Sequence, residues 1–189
     1  MPRPITRLAL RDVEPLVVDD SARSIELMST ILMGFGISRT IKCQSAQAAR
    51  DILASKPFDL ILVSCEMGDD DGFDLVRDLR SDPRGPNGCT PVVMLSASTP
   101  QAKVLMARDA GANFTIAKPV SPQILLERML WIAQRDRPFV DTETYRGPDR
   151  RFRTTPRPEG MEERRAEDLR LTATPDRALS QDEIDGLFQ

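Results

Sequence analysis

Between Pro15 and Gln134 the chain alternates five times between a short apolar run and a longer segment with helical spacing. That rhythm leaves few folds open. Pro15 to Val18 reads as a buried strand that ends in Asp19 and Asp20. Ser21 then caps a helix with Ile25, Met28, Ile31, Leu32 and Phe35 on its apolar face, closed by Gly34 and Gly36. Ile37 to Cys43 reads as a second strand, and Ser45 opens a helix with Ala49, Ile52 and Leu53 inward, ended by Pro57. Asp59 to Cys65 is almost wholly apolar, as a strand covered on both faces must be. A third helix follows Gly72, carrying Phe73, Val76 and Leu79. Pro91 to Ala97, a helix from Pro100 to about Ala110, the strand Phe114 to Ala117, and a helix from Ser121-Pro122 to Gln134 complete the series. Because βαβ crossovers are right-handed, strict alternation predicts an α/β domain over residues 12–135. Its core would be a five-stranded parallel sheet with helices on both faces.

In such sheets the working crevice lies beyond the carboxyl ends of the strands. Those ends carry Asp19 and Asp20, Ser64, Ser96 and Lys118, so four strands bring polar or charged groups to one rim. Composition narrows the chemistry. There is no histidine, which removes the commonest general base and metal ligand. Cys43, Cys65 and Cys89 show no metal-ligand spacing and read as reduced thiols, the expectation for a cytoplasmic protein. The net charge of −3 favours neither nucleic acid nor membrane. No apolar run approaches the roughly 20 residues that span a bilayer.

The motifs V-V-D-D (17–20), E-M-G-D-D-D-G (66–72), M-L-S-A (94–97), G-A-N (111–113) and A-K-P (117–119) together resemble the receiver domains of two-component response regulators. The resemblance is CheY-like in size, covers about residues 14–134, and implies a flavodoxin-like fold. It also implies a site for metal-assisted phosphoryl transfer. There the acidic pair (here Asp19 and Asp20) binds Mg²⁺, with an aspartate at the end of the third strand as nucleophile and further ligand. A hydroxyl on the fourth strand (Ser96) and a lysine on the fifth (Lys118) bind phosphoryl oxygens. The Lys118–Pro119 bond is expected to be cis by the same resemblance. Counting back from M-G-D-D-D-G places Ser64, not an aspartate, at the phosphoacceptor position, with Glu66 two residues on. A serine hydroxyl with no base beside it is a poor nucleophile and brings no charge to a metal. Asp19, Asp20 and Glu66 are therefore expected to form at most a weak Mg²⁺ site. The aromatic residue usual three positions before the lysine is also missing: Thr115 stands there, and Phe114 beside it should face the opposite way.

Beyond Arg135 the apolar content falls while Pro and Arg rise, so residues 136–178 read as a largely disordered linker. Within it, Arg146, Arg150, Arg151 and Arg153, interleaved with Tyr145 and Phe152, resemble the arginine-rich extension of CheY-like effectors of cyclic di-GMP. Residues 179–189 differ again. In L-S-Q-D-E-I-D-G-L-F, Ser180 and Glu183 form a capping box, and Ile184, Leu187 and Phe188, with Leu179 ahead of them, make one apolar stripe. Ten residues are too few to be helical alone, so this helix should fold on a partner. It resembles the N-terminal peptide of the flagellar switch protein FliM, which docks on CheY-type receivers. It could instead dock on this chain's own last helices.

The expectation is a non-enzymatic receiver, blind to phosphate. It would work as a protein-interaction adaptor in chemotaxis or motility signalling, its partner a CheY-type receiver or a flagellar motor protein. A cyclic di-GMP effector and a conventional phospho-accepting regulator are the alternatives. Neither DNA nor membrane is expected as a partner.

Overall fold

The computed structural model describes residues 10–68, 70–134, 138–142, 144–149 and 177–188. The strands are β1 (Pro15–Val18), β2 (Ile41–Cys43), β3 (Leu60–Ser64), β4 (Glu66–Met67), β5 (Asp70–Asp71), β6 (Val92–Ser96), β7 (Phe114–Ala117), β8 (Phe139–Asp141) and β9 (Arg146–Pro148). The helices are α1 (Ala22–Gly34), α2 (Ala46–Ser55), α3 (Gly72–Ser81), α4 (Gln101–Ala110), α5 (Pro122–Gln134) and α6 (Gln181–Leu187).

Five strands form one parallel sheet in the order β2-β1-β3-β6-β7. The order reverses after β2, so right-handed crossovers put α1 on one face and α2, α3 and α4 on the other. The apolar core is continuous through the sheet: Leu16, Val18, Leu62, Val63, Val93, Met94 and Ile116 are fully buried. Ser21, Ser45 and Asp71 cap α1, α2 and α3 through side-chain oxygens. The second strand is shorter than its apolar pattern predicts. Ile37 is buried, but its N–H donates to Leu32 O while Gly36 N–H donates to Met33 O. These residues therefore close α1 instead of pairing with β1.

The segment after α5 departs from the expected linker over part of its length. Phe139–Asp141 and Arg146–Pro148 pair antiparallel as β8 and β9, and β9 packs against α3. The anchor of this hairpin is polar, which is why a count of apolar residues overlooks it. Arg80 of α3 is 2% exposed and donates to Gly111 O, Gly88 O and Thr90 O at 3.1, 2.7 and 2.9 Å. Its guanidinium lies 5.2 Å from the centre of the Phe139 ring. Burial pulls the Arg80 pKa down to about 10. Two glycines let the hairpin approach. A Cβ on Gly147 would fall 2.9 Å from Gly111 Cα, and one on Gly111 would fall 2.8 Å from Arg80 Cγ.

Candidate functional site

The rim gathers the residues that the sequence analysis placed there, in a closed arrangement. Asp19, at the mouth of β1, is 2% exposed. It receives the Lys118 ammonium at 2.6 Å and the Ser21 N–H at 3.0 Å. Ser64, at the end of β3, is fully buried. Its hydroxyl accepts from Lys118 Nζ at 2.8 Å and donates to the Glu66 carbonyl at 2.7 Å. Lys118 thus bridges the first and third strands, and the peptide bond that follows it, to Pro119, is cis. Asp20 is exposed.

Glu66 follows a different course from the one expected. A short hairpin, β4 with β5, turns its side chain onto the loop after β6. One carboxylate oxygen lies 2.9 Å from Ser96 Oγ and the other accepts the Ala97 N–H at 3.2 Å. Lys103, one turn into α4, pairs with the same carboxylate. Ser96 Oγ is also 2.6 Å from Ser98 O. Partial burial opposes ionisation of Glu66. The Lys103 ammonium, the Ala97 N–H and the Ser96 hydroxyl together outweigh it and hold its pKa below the usual 4.5.

The Glu66 side chain therefore points away from Asp19 and Asp20, with which it was expected to share a weak or lost Mg²⁺ site. Asp19 is taken up by Lys118 and Glu66 by the β6–α4 loop. Among the described residues no three Asp, Glu, Cys or His side chains converge as a cation site.

A second site lies at the outer edge of β7. The tail returns there and packs its helix α6 on β7 and α4. Leu179 N–H donates to Thr99 O at 2.7 Å, Thr99 Oγ1 donates to Leu179 O at 2.8 Å, and Ala178 bridges to Pro100. The predicted capping box is present, with Glu183 on the Ser180 N–H and Ser180 Oγ on the Glu183 N–H. Ile184 and Phe188 are 0% and 1% exposed, and Leu187 is half-buried. The Phe188 ring centre is 6.0 Å from that of Phe114, which meets Trp131 of α5 edge-on at 5.0 Å. Asp185 pairs with Arg128, whose guanidinium also lies over Phe114. Gln181 reads the open edge of β7: its side-chain oxygen accepts the Ala117 N–H and its amide donates to Thr115 O, each at 3.0 Å. Those are the groups that an unpaired edge leaves free. The neighbouring Thr115 hydroxyl is buried without a hydrogen-bond partner.

Of the arginine-rich set, Arg146 is engaged within the hairpin, 2.7 Å from both Asp141 Oδ1 and Ser81 O. Arg150, Arg151 and Arg153 lie outside the described residues. Sequence reasoning did not single out Lys103, Thr99, Gln181, Arg128 or Arg80. Only Gln181 left a legible signal, as the polar first-turn residue of a helix that reaches a sheet edge.

A doubly wound parallel sheet, with carboxylate, hydroxyl and ammonium groups at its strand ends, defines a receiver-type signalling domain. The chain belongs to the response regulator receiver domain family, which it matches over residues 16–130. It is 29% identical over 120 residues to the chemotaxis protein CheY of Pseudomonas aeruginosa, an alignment covering 64% of this chain and 95% of that protein. It is 32% identical over 114 residues to the DNA-binding response regulator MtrA of Mycobacterium tuberculosis, covering 60% of this chain and 47% of MtrA. Among solved structures, the chemotaxis protein CheY4 of Vibrio cholerae superposes with a TM-score of 0.58 at 25% identity, over 64% of this chain and 98% of that one. The protein is therefore a receiver-domain response regulator of two-component signalling. No helix among the described residues is long and apolar enough to cross a membrane.

Proposed function

We propose that this protein is a phosphorylation-independent receiver, an adaptor without enzymatic activity that works by docking to other proteins. The observation that carries this reading is the position of the Glu66 carboxylate on Ser96 Oγ and the Ala97 N–H. A phosphoryl group arriving at the rim would need that hydroxyl and that N–H as donors. They already hold an anion covalently tied to the chain. Ser64 offers no carboxylate to phosphorylate, and the pairing of Lys118 with Asp19 occupies the other cation of the site.

Output then belongs to the α4–β7–α5 face and to the tail that covers it. The resemblance of the tail to the FliM docking peptide, together with the CheY relative, favours chemotaxis or motility. Its partner would be a CheY-type receiver or a flagellar motor protein that competes for either half of the closed pair.

The test is incubation of the full chain with acetyl phosphate and Mg²⁺, read by intact-mass spectrometry and by acid and base lability. The expected result is no phosphate on residues 12–135. A stoichiometric acyl or seryl phosphate there would overturn the reading.

A further inference from the structure

The residues that hold Glu66 and those that hold the tail belong to one short loop. Ser96 and Ala97 receive the carboxylate, and Ser98 accepts from Ser96 or lies beside Lys103. The next two residues, Thr99 and Pro100, make the paired hydrogen bonds to Leu179 and the bridge to Ala178. Lys103 then closes the segment from the other side, because its N–H donates to Pro100 O at 2.9 Å while its ammonium pairs with Glu66. Glu66 is thus joined to both ends of the loop that holds Ala178 and Leu179. Glu66 itself touches no residue of the tail among its recorded contacts.

We infer that Glu66 is a positioning residue for the tail: its carboxylate fixes the loop 96–103 in the shape that lets Thr99 and Pro100 hold Ala178 and Leu179. The control is local. It passes through two peptide units rather than across the domain, and it needs only that the loop have a second shape once the carboxylate is gone. Without Glu66, Ser96 Oγ keeps Ser98 O as a partner and Lys103 keeps only its 3.5 Å contact with Ser98 Oγ, whereas the Ala97 N–H loses its acceptor. The segment from Ala97 to Lys103 then relaxes toward water, and Thr99 sits in its middle. The inference rests on the adaptor reading, in which the docked tail governs output.

The experiment is hydrogen exchange on the full chain, comparing wild type with Glu66→Ala and Glu66→Gln. The Leu179 and Ile184 amides report the tail, and the Leu62 and Val93 amides report the core. Glu66→Ala is expected to speed exchange of the tail amides about tenfold or more, with core amides unchanged within about twofold. Glu66→Gln is expected to fall between the two, because an amide oxygen can still accept from Ala97 while the ion pair with Lys103 is lost. Tail amides that stay within about twofold of wild type in Glu66→Ala would overturn the inference. So would tail and core rising together, which marks general destabilisation. If one variant fails to fold, the other decides on the same amides. Unprotected tail amides in wild type would overturn the inference and the docked-tail part of the adaptor reading together. Phosphate uptake from acetyl phosphate bears on the adaptor reading alone.

Discussion

Replacing both Ile184 and Phe188 by Ala should open the tail and leave the receiver standing. Both side chains are buried to within 1% of complete, Phe188 against Phe114 and Ile184 beneath it in the same cluster. Large-to-small changes at such sites cost about 2–5 kcal/mol for Ile and about 3–5 for Phe, so the pair removes at least about 5 kcal/mol. The closed state has less than that to lose. A flexible tether gives its end an effective concentration of order millimolar, and a short helix in a groove binds with order micromolar affinity. The closed form then leads by about a thousand to one, or roughly 4 kcal/mol. Losing about 5 kcal/mol inverts the ratio to about one closed in five. The energetic loss is therefore capped at the docking free energy, and the rest of the fold does not feel it.

Trp131 supplies a native probe, since it is the sole tryptophan and meets the Phe114 ring that Phe188 covers. The emission of the double variant should shift to the red, and the tail should become protease-sensitive. The urea midpoint of the receiver should fall by no more than the docking term. Unchanged emission with an unchanged midpoint would show that the tail is not seated on Phe114. A loss of the full 5 kcal/mol or so from the receiver's own stability would show that α6 is an integral part of the core. Either result refutes the reasoning.

Two further perturbations address the rim. Lys118→Met strips the cation from Asp19, whose side chain is 2% exposed, and an unpaired buried carboxylate costs roughly 3–5 kcal/mol. Urea denaturation should show that loss, and adding Asp19→Asn should recover most of it. A loss under about 1 kcal/mol in the single variant would mean the pair carries no structural weight. The Glu66 clamp should depend on acid in one direction. A carboxylate held below its ordinary pKa adds stability above that value and loses it as pH falls through the lower folded one. The thermal-midpoint gap between wild type and Glu66→Gln should therefore be steady from neutral pH to about 5 and close below about 4.5. A gap that does not narrow at all as pH falls below about 4.5 would mean that the ionised carboxylate is not what stabilises the loop.

The sheet was legible because both its causes are local. Continuous apolar runs such as Leu60–Val63 admit only a strand covered on two faces, and the caps Ser21, Ser45 and Ser180 mark helix starts by chemistry that acts within three residues. Ser64 was legible as the last residue of β3, and its place at the phosphoacceptor position rests on the resemblance of M-G-D-D-D-G to the receiver motif. The direction of Glu66 was not. A two-residue hairpin decides whether its carboxylate meets Asp19 and Asp20 or the loop after β6, and nothing in E-M-G-D-D-D-G encodes that turn without the sheet behind it. The hairpin at residues 139–148 escaped for a related reason. Its stabilisation comes from Arg80 and from glycine–glycine contact across about 35 residues of sequence. Hydrophobic periodicity does not register such contacts. The tail's helix was evident, but the surface it covers was not, because an amphipathic stripe specifies the chemistry of its groove and not its owner.

Charge accounts for the arrangement of the rim around Ser64. A carboxylate at position 64 would stand beside Asp19, and two buried anions need a divalent cation or a proton to coexist. With serine there, Asp19 is the single buried anion of the pair, and one lysine satisfies it; Lys118 does so at 2.6 Å while also bonding Ser64. The loop after β6 then has a hydroxyl and an N–H with no anion to bind, and Glu66 with Lys103 fills that corner as a second closed pair. Asp19 and Glu66 thus each meet one lysine, Lys118 and Lys103, while Asp20 stays exposed. The tail on β7 is held separately, by the Gln181 bonds to the strand edge and by the buried Ile184 and Phe188. On the adaptor reading proposed above, signals should enter at the face where Gln181 meets the strand edge, not at the mouth of β3.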